Sequence, residues 1–293
     1  MGVAGTAMSG ERLGVVGLGL LGLAVSERLL GSGRSVIGYD AQPGLTTALE
    51  KPGGTASTSV AEVFSACDIV LLALPDSNVV GTLLDKQHHY RPGAAIIDLT
   101  TGDPDRMAEF GSDLAARGVS YIDASVGGSS EQVRGGDAIV MVGGDRSAVD
   151  RHEHVLASFA RQIFYMGPSG SGARMKLAMN LVLGLNRAVL AEGLAFAEAC
   201  GLSKDDALRV FRAGPSWSQV MDTKGRRMID HDFAPAARLS QHRKDVDLIL
   251  AAAQKKGART PLSVLHRDLL AEVEQAGFGD EDNSAVVRAF ERK

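Results

Sequence analysis

The sequence predicts an α/β protein, with a doubly wound sheet over residues 1–168 and an all-α domain over 169–293. Three observations carry this. Short apolar runs of strand length alternate with helical stretches up to about residue 165. A glycine-rich turn follows the first of these runs directly, and from Gly170 onward every long segment has helical periodicity.

Arg12–Gly17 is a β-type run, and Gly17-Leu18-Gly19-Leu20-Leu21-Gly22 follows it. Leu20–Leu30 has helical periodicity closed by Gly31 and Gly33, and Ser35–Tyr39 is a second strand ending at Asp40. The result is a βαβ unit of the Rossmann type. Gly17 permits the tight turn, Gly19 lets a pyrophosphate approach the backbone, and Gly22 lets helix and strand pack closely. The pyrophosphate would meet the free N–H groups at the positive end of the helix. Asp40, 18 residues beyond Gly22, stands where an acid accepts bonds from both ribose hydroxyls. Its carboxylate would repel a 2′-phosphate, and Ala41-Gln42 brings no arginine to clamp one, so the expected cofactor is NAD rather than NADP.

Asp68–Leu74 and Ala94–Asp98 continue the sheet, running into Leu74-Pro75-Asp76 and Leu99-Thr100-Thr101-Gly102-Asp103-Pro104. Loops at the carboxyl ends of parallel strands bind ligands in such sheets, so Thr100 and Thr101 either contact the nicotinamide half or form a helix cap or turn before Pro104. That helix is expected over Asp105–Arg117, with strands at Val119–Asp123, Ile139–Val142 and Ile163–Tyr165. Asp123-Ala124-Ser125-Val126-Gly127-Gly128-Ser129-Ser130 reads as a small, donor-rich loop, suited to a carboxylate or simply a turn.

A long helix is expected from about Ala173 to Cys200, reaching ~40 Å. Lys176 and Asn180, four residues apart, share one face near its start, where a lysine would look into an interdomain cleft. Ser203 caps the next helix. Others are expected near Gln219–Ile229, Ser240–Lys256, Pro261–Gln275 and Ser284–Glu291.

Composition excludes several classes. The chain has 293 residues, 45% hydrophobic and 23% charged, with a net charge of −4 and no basic run to suggest nucleic acid or anionic lipid. Its apolar runs read as too short to span a bilayer. Cys67 and Cys200 have neither metal nor disulfide spacing, and both are expected as buried thiols of a reducing cytoplasm. Met1–Gly10 lacks a signal pattern and reads as a frayed terminus. No metal site is expected.

Four stretches together resemble the β-hydroxyacid dehydrogenases: Gly14–Gly22, Asp123–Ser130, Gly170–Asn180 with Lys176 and Asn180, and Lys244-Asp245. Gly279–Ala285 is similar to that family's terminal motif. The resemblance implies that Lys176 is the catalytic acid/base and that Asn180 places the substrate. It also implies that Ser125, Gly127, Gly128 and Ser129 hold the substrate carboxylate, and that Leu74, Pro75, Thr101 and Lys244 touch the cofactor. The usual loop, Asp-Ala-Pro-Val-Ser-Gly-Gly, is altered here: Ser125 replaces proline, Gly127 serine and Ser129 the last glycine. Met179 and Leu21 also depart from the pattern. The activity implied is oxidation or reduction between a short 3-hydroxy acid and its semialdehyde or keto acid. Imine reductases of the same superfamily generally lack the lysine. A non-catalytic nucleotide-binding regulator is the alternative of another class. The long helix leaves apolar faces that a homodimer or homotetramer would cover.

Overall fold

The computed structural model describes residues 10–86 and 88–291, so most of Met1–Gly10 lies outside it. Two compact units make up the chain, one ending at Lys176 and the other beginning at Leu177.

In the first unit β1 (Leu13–Val16) leads through the glycine turn into α1 (Leu20–Gly31) and β2 (Val36–Tyr39). Next come α2 (Pro43–Glu50), β3 (Thr55–Ala56), α3 (Val60–Ala66), β4 (Ile69–Leu72), α4 (Ser77–Leu84), β5 (Ala95–Asp98) and α5 (Pro104–Ala116). The unit closes with β6 (Ser120–Gly127), α6 (Ser130–Gly135), β7 (Ala138–Gly144), α7 (Arg146–Leu156) and β8 (Ala160–Gly167). The strands form one sheet in the order β3-β2-β1-β4-β5-β6-β7-β8. β1 to β6 pair in parallel, β7 runs antiparallel to β6, and β8 is parallel to β7.

Period-two alternation explains why the central strands are apolar throughout. Leu13, Val15, Ile69, Leu71 and Ile97 pack on one face with α1 and α7 residues such as Val25 and Val149. Val16, Val70, Leu72 and Ile96 pack on the other with Phe64 of α3 and Met107 and Phe110 of α5. Helices on both faces make the sheet doubly wound, as the sequence predicts.

α8 (Ser171–Ala199) begins in the first unit and runs on into the second. There α9 (Lys204–Ala213), α10 (Gln219–Asp230), α11 (Leu239–Lys256) and α12 (Pro261–Val273) surround a core that includes Leu194, Leu208, Met228, Val246 and Leu270. Asp282, fully buried, ties this unit's end together: it pairs with Lys224 at 2.7 Å and accepts from the Ser284 hydroxyl and the Ala236 and Ala237 N–H groups. Burial alone would raise its pKa, but these bonds hold it at about 2.

Five expectations need correction. Asp123–Gly127 is strand, not loop, because these small residues pair with Ile139–Gly143 of β7. The last helix is a 3₁₀ segment over Asn283–Phe290, and α12 ends in a π turn, Glu274–Phe278, in which Gly277 has φ +95°. Cys67 is buried but Cys200 is exposed. By length and composition α8 could cross a membrane, against the expectation that no run suffices. The cap of α5 is Asp103, which accepts from the Asp105 N–H, so neither threonine serves as the cap.

Candidate active site

Because β2, β1, β4, β5 and β6 are parallel neighbours, the segments after them emerge at one edge of the sheet. That edge carries the Gly17–Gly22 turn, Asp40, Leu74-Pro75, Thr100-Thr101 and the end of β6.

The glycine turn fits a dinucleotide. Gly17 has φ +92°, and a Cβ on Gly22 would strike the Gly17 carbonyl oxygen, so the turn and α1 can approach only without side chains. Gly19 differs: no atom lies within 4 Å of where its Cβ would be. α1 also starts from Gly19 with no side-chain cap, leaving its first N–H groups without that partner. Open space beside such a helix start is what a pyrophosphate requires. Leu18 is fully buried, Leu21 packs partly buried against the sheet's apolar cluster, and Leu20 is exposed. Asp40, half-buried, accepts from the Leu18 N–H and the Gln42 N–H, each at 2.8 Å. The acid at the ribose position thus also braces the turn.

Thr100 is buried, and its hydroxyl accepts from the Leu74 N–H at 3.2 Å, holding the ends of β4 and β5 together. Thr101 beside it is partly exposed and Pro75 is exposed.

Beyond Asp123, which pairs with Asp98 of β5, β6 continues through Ser125, Val126 and Gly127. Ser125 is fully buried, and among the described residues its hydroxyl has no hydrogen-bond partner. Gly128 has φ +147° and turns the chain into α6, where Ser129 forms a capping box with Gln132. The Ser129 hydroxyl is therefore already engaged, accepting the Gln132 N–H at 3.2 Å. Lys176, on α8, donates from Nζ to the Val126 carbonyl oxygen at 2.7 Å. The lysine and the strand carrying Ser125–Gly127 therefore meet. Asn180, one turn further along α8 and buried, donates from Nδ2 to Asp245 Oδ2 on α11 at 3.0 Å. Lys244, beside Asp245, is partly exposed.

Sequence reasoning missed how α8 starts. Asp123 is fully buried and accepts from the Gly170 N–H at 2.6 Å and the Ala173 N–H at 2.9 Å. Burial pushes its carboxyl up to about 6, against these two bonds. Next to it, Asp98 accepts the Tyr121 hydroxyl at 2.8 Å, and burial raises both groups. An acid after an apolar run, Ile122-Asp123, was the available signal.

Residues 12–167 match the NAD binding domain of 6-phosphogluconate dehydrogenase, and residues 170–290 match the NAD-binding domain of NADP-dependent 3-hydroxyisobutyrate dehydrogenase. The class these define is a nicotinamide-dependent oxidoreductase. Within it, the chain belongs to the β-hydroxyacid dehydrogenase family. It is 27% identical over 286 residues to 2-(hydroxymethyl)glutarate dehydrogenase of Eubacterium barkeri, covering 96% of this chain and 95% of that one. It is 26% identical over 284 residues to the cytokine-like nuclear factor N-PAC of Xenopus tropicalis, where 96% of this chain spans only 53% of the relative. A 3-hydroxyisobutyrate dehydrogenase of Mycobacterium tuberculosis, solved with L-serine, superposes with a TM-score of 0.88 at 27% identity, over 96% of this chain and 99% of that one.

Proposed function

We propose that this oxidoreductase interconverts a short 3-hydroxy acid and its semialdehyde or keto acid, preferring NAD, with Lys176 as the proton carrier. The observation that supports it best is the 2.7 Å bond from Lys176 Nζ to the Val126 carbonyl. It holds an ammonium at the carboxyl end of β6, on the sheet edge that carries the glycine turn. A nicotinamide cofactor held by the Gly17–Gly22 turn and Asp40 would supply or accept the hydride. Lys176 then donates a proton to the forming alkoxide in reduction, or takes it from the hydroxyl in oxidation. Asp245 fixes one end of the Asn180 amide and leaves its oxygen to accept from a substrate hydroxyl. The buried Ser125 hydroxyl and the backbone around Gly127-Gly128 are the proposed carboxylate donors, and the capping role of Ser129 makes its part a backbone one.

Residues 1–168 are proposed to serve the cofactor, and 169–293 the substrate and self-association in a cytoplasmic homodimer or homotetramer. Met175, Val182, Val189 and Phe196 recur every seven residues on α8 and are all exposed, which supports an apolar seam for a second copy. Screening a panel of 3-hydroxy acids for NADH production tests the reading. Turnover of at least one member is expected. NADH binding without turnover of any member would favour a nucleotide-binding regulator, and reduction of cyclic imines alone would favour an imine reductase.

A further inference from the structure

The first turn of α8 hangs from β6 at two points. At one, the Asp123 carboxylate receives the Gly170 and Ala173 N–H groups, one on each oxygen. At the other, three residues along both strand and helix, the Val126 carbonyl receives Lys176 Nζ. Gly172 is pressed against the sheet beside the first point, since a Cβ there would strike the Met141 carbonyl oxygen of β7 and come within 2.8 Å of Asp123 Oδ2. No side chain other than Asp123 is bonded to those two N–H groups among the described residues.

We propose that the ionised Asp123 is a positioning residue for the reaction, setting the place of Lys176 by anchoring the helix start, and that its protonation loosens that anchor and lowers turnover. The proposal rests on the reading of Lys176 as the proton carrier. A carboxylate offers two charged acceptors to two N–H donors, whereas the neutral acid offers one good acceptor and turns a hydroxyl toward the other donor. The groups facing Asp123 are few. Asp98 on β5 is its register partner, Tyr121 lies two residues earlier on β6 with its hydroxyl on Asp98, and β7 presents Gly143. Among the described residues the start of α8 reaches it through the Gly170 and Ala173 N–H groups, while Arg174 pairs with Asp105 and Lys176 donates to the Val126 carbonyl. Burial, with Asp98 adding to it, outweighs the two N–H bonds and raises the acid to about 6.

The direction of the pH effect separates this role from that of the lysine. In aldehyde reduction the lysine must be protonated, so its own ionisation lowers the rate only toward high pH. A fall toward low pH needs another group. The test follows kcat from pH 5 to 9 with NADH and succinic semialdehyde, a small aldehyde bearing one carboxylate, in wild type and Asp123→Asn. Wild-type kcat should fall below a midpoint of about 6, by ~10-fold at pH 5. In Asp123→Asn the acid limb should vanish, kcat should be low across the range, and KM for NADH should stay within about threefold. A wild-type rate that is level down to pH 5, or a limb that persists in the variant, would overturn the proposal.

A second readout needs no turnover. The Gly170 and Ala173 amide resonances of the wild-type chain should titrate together with a midpoint near 6. Failure to reduce any aldehyde would then count against the enzymatic reading, and unmoved amide resonances against Asp123 as the anchor. The wild-type titration stands even if the variant does not fold.

Discussion

Replacing Asp40 by alanine separates two duties of one carboxylate. Its oxygens hold the Leu18 and Gln42 N–H groups at 2.8 Å, and each keeps a lone pair for a ribose hydroxyl. A hydrogen bond to a charged group contributes about 1.5–3 kcal/mol, so losing the ribose contact should weaken NADH ~10- to 150-fold. NADPH makes no such contact and is freed from repulsion at its 2′-phosphate, so its affinity should hold or rise. Loss of the brace on Leu18 affects both cofactors alike and cancels in their ratio. Fluorescence titration of both cofactors reads that ratio. Wild type should favour NADH by at least ~10-fold, and Asp40→Ala should erase most of the preference. If wild type binds NADPH more tightly, or if the variant weakens both cofactors equally, Asp40 braces the turn and does not read the ribose.

Three further outcomes follow from the same geometry. Gly19→Val should leave the melting temperature nearly unchanged, since no atom lies within 4 Å of the new Cβ, yet weaken NADH at least ~10-fold; Gly22→Ala should destabilise the fold by driving its methyl onto the Gly17 carbonyl. His266 is buried beside His242, and burial, helped by Arg187, lowers its pKa to about 4. Its contribution to stability is complete above its ordinary value near 6.5 and is lost as pH falls toward 4, amounting to about 3 kcal/mol. Urea unfolding against pH should show this loss, and His266→Leu should flatten it, best seen in an Asp123→Asn background because the raised pKa of Asp123 acts with opposite sign there. Val189→Glu, at a site 65% exposed, should keep the fold but shift sedimentation toward monomer.

The parts legible in sequence are those whose cause is local. Leu13–Val16 and Ile69–Leu72 are apolar on both faces, and the turn between β1 and α1 announces itself through glycines, of which Gly17 and Gly22 leave no room for a side chain. Lys176 and Asn180 were found by helical spacing and by resemblance. The segment Ala124-Ser125-Val126-Gly127 has the composition of a turn, but antiparallel pairing with β7 overrides it. Helix α6 carried a readable signal in Ser129-x-x-Gln132 that lay within the presumed loop. The grip of Asp123 on Gly170 and Ala173 spans 47 and 50 residues, and no local pattern encodes it. The exposure of Cys200 likewise depends on where α8 ends, because its neighbours Ala197 and Phe196 face opposite ways, one buried and one out.

The most direct measurement is the single-turnover rate of aldehyde reduction by Lys176→Ala against wild type, with NADH prebound and succinic semialdehyde added. Lys176 is partly exposed and donates to the Val126 carbonyl, and its removal should leave NADH affinity and melting temperature close to wild type. The rate should fall ~10²–10⁴-fold, and Lys176→Arg should not restore it to the wild-type level, because its bulkier, weakly acidic guanidinium is a poor proton donor. A variant keeping more than about a third of the wild-type rate would contradict proton transfer by Lys176, given the loss expected for a general acid.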